Sequence, residues 1–359
     1  MRAGPSASVL AAAASWRPMV SSWLGGTVLA DEIPVLRGKI TWSVGQQVQS
    51  DLRLTVAGSS VEDGRTRYWR PTEPTDPLAR FGQVLDVSIL VEGVITRLGR
   101  FQIADWTDGA DGQIEVTAAG MLQAVADDRL TQATGPRDDG TLRSEFARLT
   151  PGYMSVQFDP ALIDRDCPKA MEWDEDRLKG LYEIADAWPA RLREDSYGGI
   201  VVLPPLPEIP SPIVTLSDGD GGTITRAPTH DSREGAYNVF VARSSANGVD
   251  AFAVVTVADG PMNPDGEYHP VPKFFSSPIL DDEEQCRAAA TTMRNNSVRQ
   301  SRVRKVQMAP DARIELDDAV QLFVDKGKPR SSREWGYVVG VEMPLTVADG
   351  EMRVDIAVY

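Results

Sequence analysis

The side chains that most often do chemistry are scarce in this chain. It has two histidines, His230 and His269, and two cysteines, Cys167 and Cys286, in 359 residues. A histidine-based hydrolase would have to use His230 or His269. Both sit in loop-like sequence with no evident catalytic partner. Neither belongs to a cysteine–histidine cluster with zinc-ligand spacing. The G-x-S-x-G elbow, the H-E-x-x-H helix and the Walker A loop are missing, and no G-x-G-x-x-G follows a strand. Carboxylates are abundant: 52 Asp and Glu face 37 Lys and Arg, for a net charge of −15. Pairs such as Asp127 with Asp128, or Glu172 with Asp174, have the residue types a glycosidase needs, and Trp69, Trp173, Trp188 and Trp335 could stack on sugars. With this many acids such pairs arise by chance, and Trp188 and Trp335 fall on apolar stripes that predict core positions. Asp218-Gly219-Asp220-Gly221-Gly222 resembles the start of a calcium loop, but Thr229 stands where a bidentate acid is needed, so a turn is expected. Arg294, Arg299, Arg302, Arg304 and Lys305 could meet DNA or an acidic tail. Solvated charge at a helix end and on a strand is the simpler expectation. The overall negative charge argues against gripping phosphate backbones or anionic lipid. No catalytic, cofactor-binding or metal-binding residue is therefore assigned, and no cofactor is expected.

The elements that would position any site are mainly strands. Hydrophobic content of 42% and charged content of 25% are globular, and the length suits two or three domains. No apolar run reaches the roughly 18 residues of a membrane span. Period-two alternation marks Leu52, Leu54 and Val56; Val87, Ile89 and Val91; Trp335, Tyr337, Val339 and Val341; and Met352, Val354, Ile356 and Val358. In the third set, Glu334, Gly336 and Gly340 are expected on the opposite face. Asp-Gly pairs at 63–64, 108–109, 111–112, 259–260 and 349–350 punctuate the strands as tight turns. Helices are predicted over Thr141–Leu149, over Asp174–Trp188 capped by Asp174, and over Leu280 to about Ser297. The last would bury Cys286, Ala289, Ala290 and Met293. Five prolines between Leu203 and Pro212 read as a stiff connector, and Arg65 to Phe81 as a long excursion between strands. At the start, Arg2 and the Val9–Ser15 run mimic a short signal, but Pro5 and the serine and glycine interruptions dilute it. An arm or short helix is expected there, with a strand near Thr27-Val28-Leu29. One disulfide between the two cysteines is possible, but there is no disulfide framework.

An internal echo is the most informative pattern. Ala110-Asp111-Gly112 followed by Gln113-Ile114-Glu115-Val116-Thr117-Ala118 resembles Ala348-Asp349-Gly350 followed by Glu351-Met352-Arg353-Val354-Asp355-Ile356. About 20 residues upstream of each, Val87–Glu92 parallels Val320–Asp325. An offset of about 235 residues is too long for a solenoid and suits two related β-domains with an insertion between them. Three such chains would present six near-equivalent faces, which lets a trimer seat on a six-fold ring.

In element order the chain resembles the baseplate or tail-tip hub proteins of tailed bacteriophages, and more narrowly the minor tail proteins of actinobacterial siphophages. The strings that carry this are Gly38-Lys39-Ile40-Thr41 after Ile33-Pro34-Val35, and Leu98-Gly99-Arg100-Phe101-Gln102-Ile103 leading to Gly112–Gly120. Further on come Tyr197-Gly198-Gly199-Ile200-Val201-Val202, Tyr237–Val241 opening the second unit, and Ser277–Leu280 before a helix packed on it. The match runs from about Ile33 onward, and the first 30 residues lie outside it.

The resemblance implies a mainly β (α+β) fold. An N-terminal arm (1–37) would lead to a first β-barrel (38–130), a mixed α/β insert with a proline-rich connector (131–222) and a second β-barrel (223–359) carrying the helix near 280–297. It implies a structural virion component at the phage tail tip, without enzyme activity. Such a hub adapts a hexameric tail tube or distal tail ring to a trimeric tip and helps close the DNA channel. The implied partners are its own copies in a homotrimer, a distal tail or tail tube protein, and other tail-tip, spike or receptor-binding proteins. A tape measure protein is a further candidate, and no membrane or specific nucleic-acid partner is implied. Two rivals stand beside this reading: a hexameric distal tail protein, and a β-domain protein that binds or hydrolyses cell-wall carbohydrate.

Overall fold

Alternating apolar residues produce one sheet far larger than any other in the chain. A computed structural model describes all residues except 13–15, 63, 208, 229–235, 246–247, 249, 278–279, 281, 301–302, 326–331 and 359. After α1 (Ala7–Ala12), the first half holds β1 (Arg17–Leu24), β2 (Thr27–Ala30), β3 (Val35–Ser43), β4 (Ser50–Val56), the hairpin β5 (Ser59–Glu62) and β6 (Arg65–Tyr68), β7 (Gln83–Val91), β8 (Val94–Asp108) and β9 (Ile114–Gly120). An insert follows, with α2 (Leu122–Asp127), α3 (Leu142–Leu149), β10 (Val156–Phe158), α4 (Arg177–Ala187), β11 (Arg191–Glu194) and β12 (Ile200–Leu203). The second half begins with β13 (Val214–Ser217) and β14 (Ile224–Arg226). It is interrupted by β15 (Val239–Ser244), β16 (Phe252–Thr256), β17 (Pro272–Ser277) and α5 (Glu283–Gln300). It resumes with β18 (Val303–Met308), β19 (Ala319–Val324), β20 (Ser332–Pro344) and β21 (Met352–Val358).

Thirteen strands form the main sheet, in the order β14-β18-β21-β20-β3-β4-β9-β8-β7-β1-β2, with β19 beside β20 and β13 beside β19. The fold is therefore mostly β with few helices, as expected. Among the described residues this path stays open between β14 and β2 and closes no ring. Its strands share one hydrophobic core that takes Leu54, Val116, Ile103 and Phe101 from the first half and Val306, Val354, Val338 and Met343 from the second. The insert has its own core around Phe146, Trp173, Leu181 and Ile200. A third, smaller core joins Phe240, Ala242 and Ala253 to Cys286 and Ala290 of α5.

The helices follow local rules. Thr141 caps α3 through a capping box with Ser144, as its position before the apolar stripe suggests. For α4 the cap is Asp176, which accepts from Lys179 N at 2.9 Å, and not Asp174. The cap lies two residues later than expected: Asp176 has an extended backbone that aims its carboxylate at a free N–H of the first turn. Ala289 and Met293 pack partly buried beside Cys286 and Ala290, on the expected stripe of α5.

Expectations for the second unit and for β20 need correction, and the disulfide the sequence left open does not form. Tyr237–Val241 does not open the second unit, because among the described residues β15 pairs with β16 and β17 in a separate three-stranded sheet and not with the main one. Helix α5 packs mainly on that small sheet. The face assignment along β20 is also inverted at its start: Glu334 is buried, whereas Trp335 is 38% exposed. A bulge between Val338 and Gly340 shifts the phase, so no single period-two rule describes the whole strand. Finally, Cys167 and Cys286 are both free and buried, and they lie in different cores, so they form no disulfide.

Candidate assembly surface

The two halves of the main sheet share one strand register over β3, β4, β9 and β8 and over β14, β18, β21 and β20. Strands β8 and β9 join through a 3₁₀ turn at Ala110–Gly112, and β20 and β21 through one at Val347–Asp349. Strand β9 faces β8 with Val116 opposite Trp106, and β21 faces β20 with Val354 opposite Val341. Each of these pairs carries a bulge at the same place, between Ile103 and Asp105 and between Val338 and Gly340. On its other side β9 meets β4 with Leu54 opposite Val116, as β21 meets β18 with Val306 opposite Val354. Even the outer strands agree: β3 leaves β4 at a bulge between Val35 and Arg37, and β14 leaves β18 at one between Ile224 and Arg226. Bulges are set by local backbone geometry, so two shared bulges in one register are strong grounds for structural duplication. The upstream strands match as well, but in a different register from the one the sequence suggested. Val320 pairs with Gly336 as Leu85 pairs with Phe101, so Val320 takes the place of Leu85 and not of Val87. A two-residue slip keeps every side chain on its face, which is why alternation could not reveal it. The halves also differ: β1 runs antiparallel to β7, whereas β13 runs parallel to β19, and the bulge between Val87 and Ser88 in β7 has no counterpart in the pairing of β19 with β20.

The halves join at a seam between β20 and β3, with Val341 opposite Trp42 and Met343 opposite Ile40. Leu345 N donates to Gly38 O at 2.8 Å, and Lys39 Nζ meets Glu342 Oε2 at 3.0 Å. The Asp349 carboxylate locks the corner, accepting from Gly38 N at 2.9 Å and from Thr346 Oγ1 at 2.7 Å. Gly38 is required there, since a Cβ would lie 2.6 Å from the Leu54 side chain and 2.9 Å from the Arg53 carbonyl oxygen. Among the described residues no strand pairs with the corresponding stretch of β8 on that side, though Arg70 reaches Asp108 at 2.8 Å. Its pairing with β7 ends at Gln102, and Ala104, Asp105, Thr107 and Asp108 are exposed.

Charged groups hold the insert against both halves. Asp317 receives Arg191 and Arg193, the latter through Nε at 2.6 Å and Nη2 at 3.0 Å. Gln49 Nε2 donates to Leu192 O at 2.9 Å. Glu194 accepts from Met121 N at 2.6 Å and Ser50 Oγ at 3.3 Å, and burial pushes its carboxyl up to about 7 against those hydrogen bonds. The Met1 ammonium meets Asp318 at 2.6 Å and Glu315 at 3.0 Å. Sequence reading missed this cluster. Its one local signal is Arg191-Leu192-Arg193-Glu194, a strand with charge on the face expected to look at water.

The residues weighed from sequence scatter. Trp69, Trp173 and Trp188 are buried, leaving no free face for a sugar, and only Trp335 is partly open, under the Arg333 guanidinium. Asp127 accepts from Gln123 and Asp128 from Arg177, while Glu172 and Asp174 are exposed. Asp218 to Gly222 forms a turn, with Gly222 N donating to Gly219 O and Asp218 accepting from Asp325 N at 2.7 Å. Thr229, His230 and Arg302, and the side chain of Arg299, lie outside the described residues. His269 is exposed, and its carbonyl accepts from Asn238 Nδ2. Arg304 is not solvated charge: it is buried and paired with Glu334, Nε to Oε2 at 2.7 Å, while Lys305 is exposed. Among the described residues no group of three or more His, Cys, Asp or Glu side chains could hold a metal ion, and no helix is long and apolar enough to cross a membrane.

No family model matches this chain, and no curated protein matches it. Solved structures do. The tail protein from Neisseria meningitidis MC58 is similar over 95% of this chain and 96% of its own, at 13% identity and a TM-score of 0.65. The 43 kDa tail protein of prophage MuSo2 from Shewanella oneidensis is similar over 95% and 100%, at 13% identity and a TM-score of 0.63. Prophage tail protein gp18 from Listeria monocytogenes EGD-e is similar over 94% of each chain, at 11% identity and a TM-score of 0.55. The chain thus has the fold of phage tail proteins along almost its whole length.

Proposed function

We propose that this protein is a structural component of a phage tail tip, a hub that assembles as a homotrimer. Its two halves supply six near-equivalent units to a six-fold distal tail ring or tail tube above, and spike or receptor-binding proteins attach below. Each half is a barrel-like unit, with the insert and the β15–β17 and α5 module appended. The role is symmetry adaptation and closure of the channel, with no catalytic residue. The observation that carries this reading is the shared strand register of the two halves, bulges included. Two copies of one unit in a chain let half as many chains match a six-fold partner. The full-length match to tail proteins supports the virion setting. Native mass measurement of the purified chain tests it, with three times 39.1 kDa expected. A species of six chains would favour a distal tail ring, and a monomer at all concentrations would overturn the hub reading.

A further inference from the structure

We infer that Arg333 is a docking cation for an acidic segment of another protein, whose carboxylate takes the place that Asp86 fills for Arg97 in the first half. The inference stands on the duplication of the halves. It goes beyond the hub reading, since it names a surface and the chemistry of its partner whatever the copy number.

Register sets the two places side by side. Val320 answers Leu85, so Gln321 opposite Trp335 answers Asp86 opposite Arg100. In the same way Phe323 opposite Arg333 answers Ser88 opposite Arg97. In the first half the carboxylate is internal. Asp86 is buried and takes both Arg97 and Arg100, the latter through Nε at 3.3 Å. In the second half a neutral amide, Gln321, stands where that acid does, while the cation is kept as Arg333. Counting residues would have hidden this match, because the bulge in the first half adds Leu98 to β8 and sets it against Arg333.

The cation is held ready. The Gln321 amide oxygen accepts from Trp335 Nε1 at 2.8 Å and from Arg333 Nη2 and Nε at 2.9 and 3.0 Å. The guanidinium carbon lies 5.2 Å from the ring centres of both Phe323 and Trp335. One amide and two rings thus order a long side chain before any partner arrives, which lowers the entropy cost of binding. Gln321 occupies only part of the donor set of Arg333, and among the described residues no carboxylate meets it. The side chain is exposed, as is that of Trp335.

The surroundings select the partner. Strand β13 continues the same face, with Thr215 beside Gln321 and Ser217 beside Phe323, and Ile213, 57% exposed, comes just before it. Arginine and tryptophan set among apolar and hydroxyl groups are the make-up of a protein hot spot, where the rim excludes water from the central pair. A nucleic acid would need a row of cations for successive phosphates, and Arg333 has no second cation on these paired rows. A carboxylate matches the planar fork with two parallel hydrogen bonds. The partner is therefore a protein segment with apolar residues beside its Asp or Glu.

Surface plasmon resonance with an immobilised peptide, acetyl-Leu-Asp-Leu-Glu-Leu-amide, tests this against the counterpart bearing Asn and Gln. The full chain is expected to bind the acidic peptide about tenfold more tightly, the effect of one charge-assisted hydrogen bond. Arg333→Gln is expected to erase that preference. Gln321→Glu rebuilds the internal pair of the first half, so it is expected to erase the preference as well, with no fall in melting temperature. A wild-type chain without the preference, or Arg333→Gln retaining it, would overturn the site. Tighter binding of a single-stranded oligonucleotide through Arg333 would overturn the protein partner. Loss of self-association in Arg333→Gln would give this face to a second copy and overturn the external partner. A wild-type chain that stays monomeric yet prefers the acidic peptide would overturn the hub reading and leave this one standing.

Discussion

Single residues in this protein mark where the two halves have diverged. Register places Arg304 where the first half has Leu52, and Glu334 where it has Gly99. The second half thus carries a buried ion pair where the first is apolar. Removing one partner of such a pair strands a charge in the core and costs about 3–5 kcal/mol, whereas replacing both with apolar side chains is close to neutral. Arg304→Leu alone is therefore expected to lower the urea midpoint sharply. Arg304→Met with Glu334→Leu is expected to recover most of it, and equal loss in both variants would refute this account. Glu194 gives a pH-dependent counterpart. Its folded carboxyl lies near 7, above the ordinary value of 4.5 that an unfolded chain would show. The folded form keeps its proton while the unfolded form loses it. The contribution is thus fully present below about pH 4.5 and is lost as pH rises through about 7. Glu194→Gln should flatten this fall and raise the melting temperature at pH 7.5. A variant that melts with the same slope between pH 5 and 8 would show that another group titrates.

At the scale of elements, close backbone contact decides the seams. Gly336 lies at the centre of the β19–β20–β21 meander, and a Cβ there would press against the Ala357 carbonyl oxygen and the Ile356 side chain. Backbone cannot yield as a flexible side chain does, so Gly336→Ala is expected to cost about 2 kcal/mol or more, measured by denaturant unfolding. Gly152→Ala, where nothing lies within 4 Å of the added atom, serves as the neutral control. The strand β20 also shows why period-two reading faltered. A bulge adds a residue to one strand only, so the inward set changes from Glu334, Gly336 and Val338 to Val341 and Met343.

For the whole molecule, the joined sheet sets how the two halves hold together. The seam between them is backbone pairing supported by an ion pair and a carboxylate cap, Lys39 with Glu342 and Asp349 with Gly38. It depends mainly on hydrogen bonds and apolar packing and only weakly on charge. Raising salt from 50 mM to 500 mM is then expected to leave the urea midpoint nearly unchanged, since screening acts on exposed charges. A marked fall in the midpoint under the same conditions would point to a mainly electrostatic seam. The insert is expected to hold its place through Asp317, so Asp317→Ala should loosen it by limited proteolysis while the main sheet persists.

The sequence alone determined the β class, turns such as Asp111-Gly112 and Asp349-Gly350, the span of α3 and the existence of an echo between the hairpins near Ile114 and Met352. These are local matters: alternation, Asp-Gly chemistry and capping act within a few residues. Only the tertiary structure decided that the echo extends to strand register and shared bulges, that Val320 answers Leu85, and that β15 belongs to a separate sheet. It alone brought Arg191, Arg193 and Asp317 together and buried Arg304 beside Glu334. Alternating sequence says which face of a strand is apolar, but it is the same for any even slip and for any partner strand. Choosing among them takes the long-range hydrogen bonds and packing that exist only once distant segments meet.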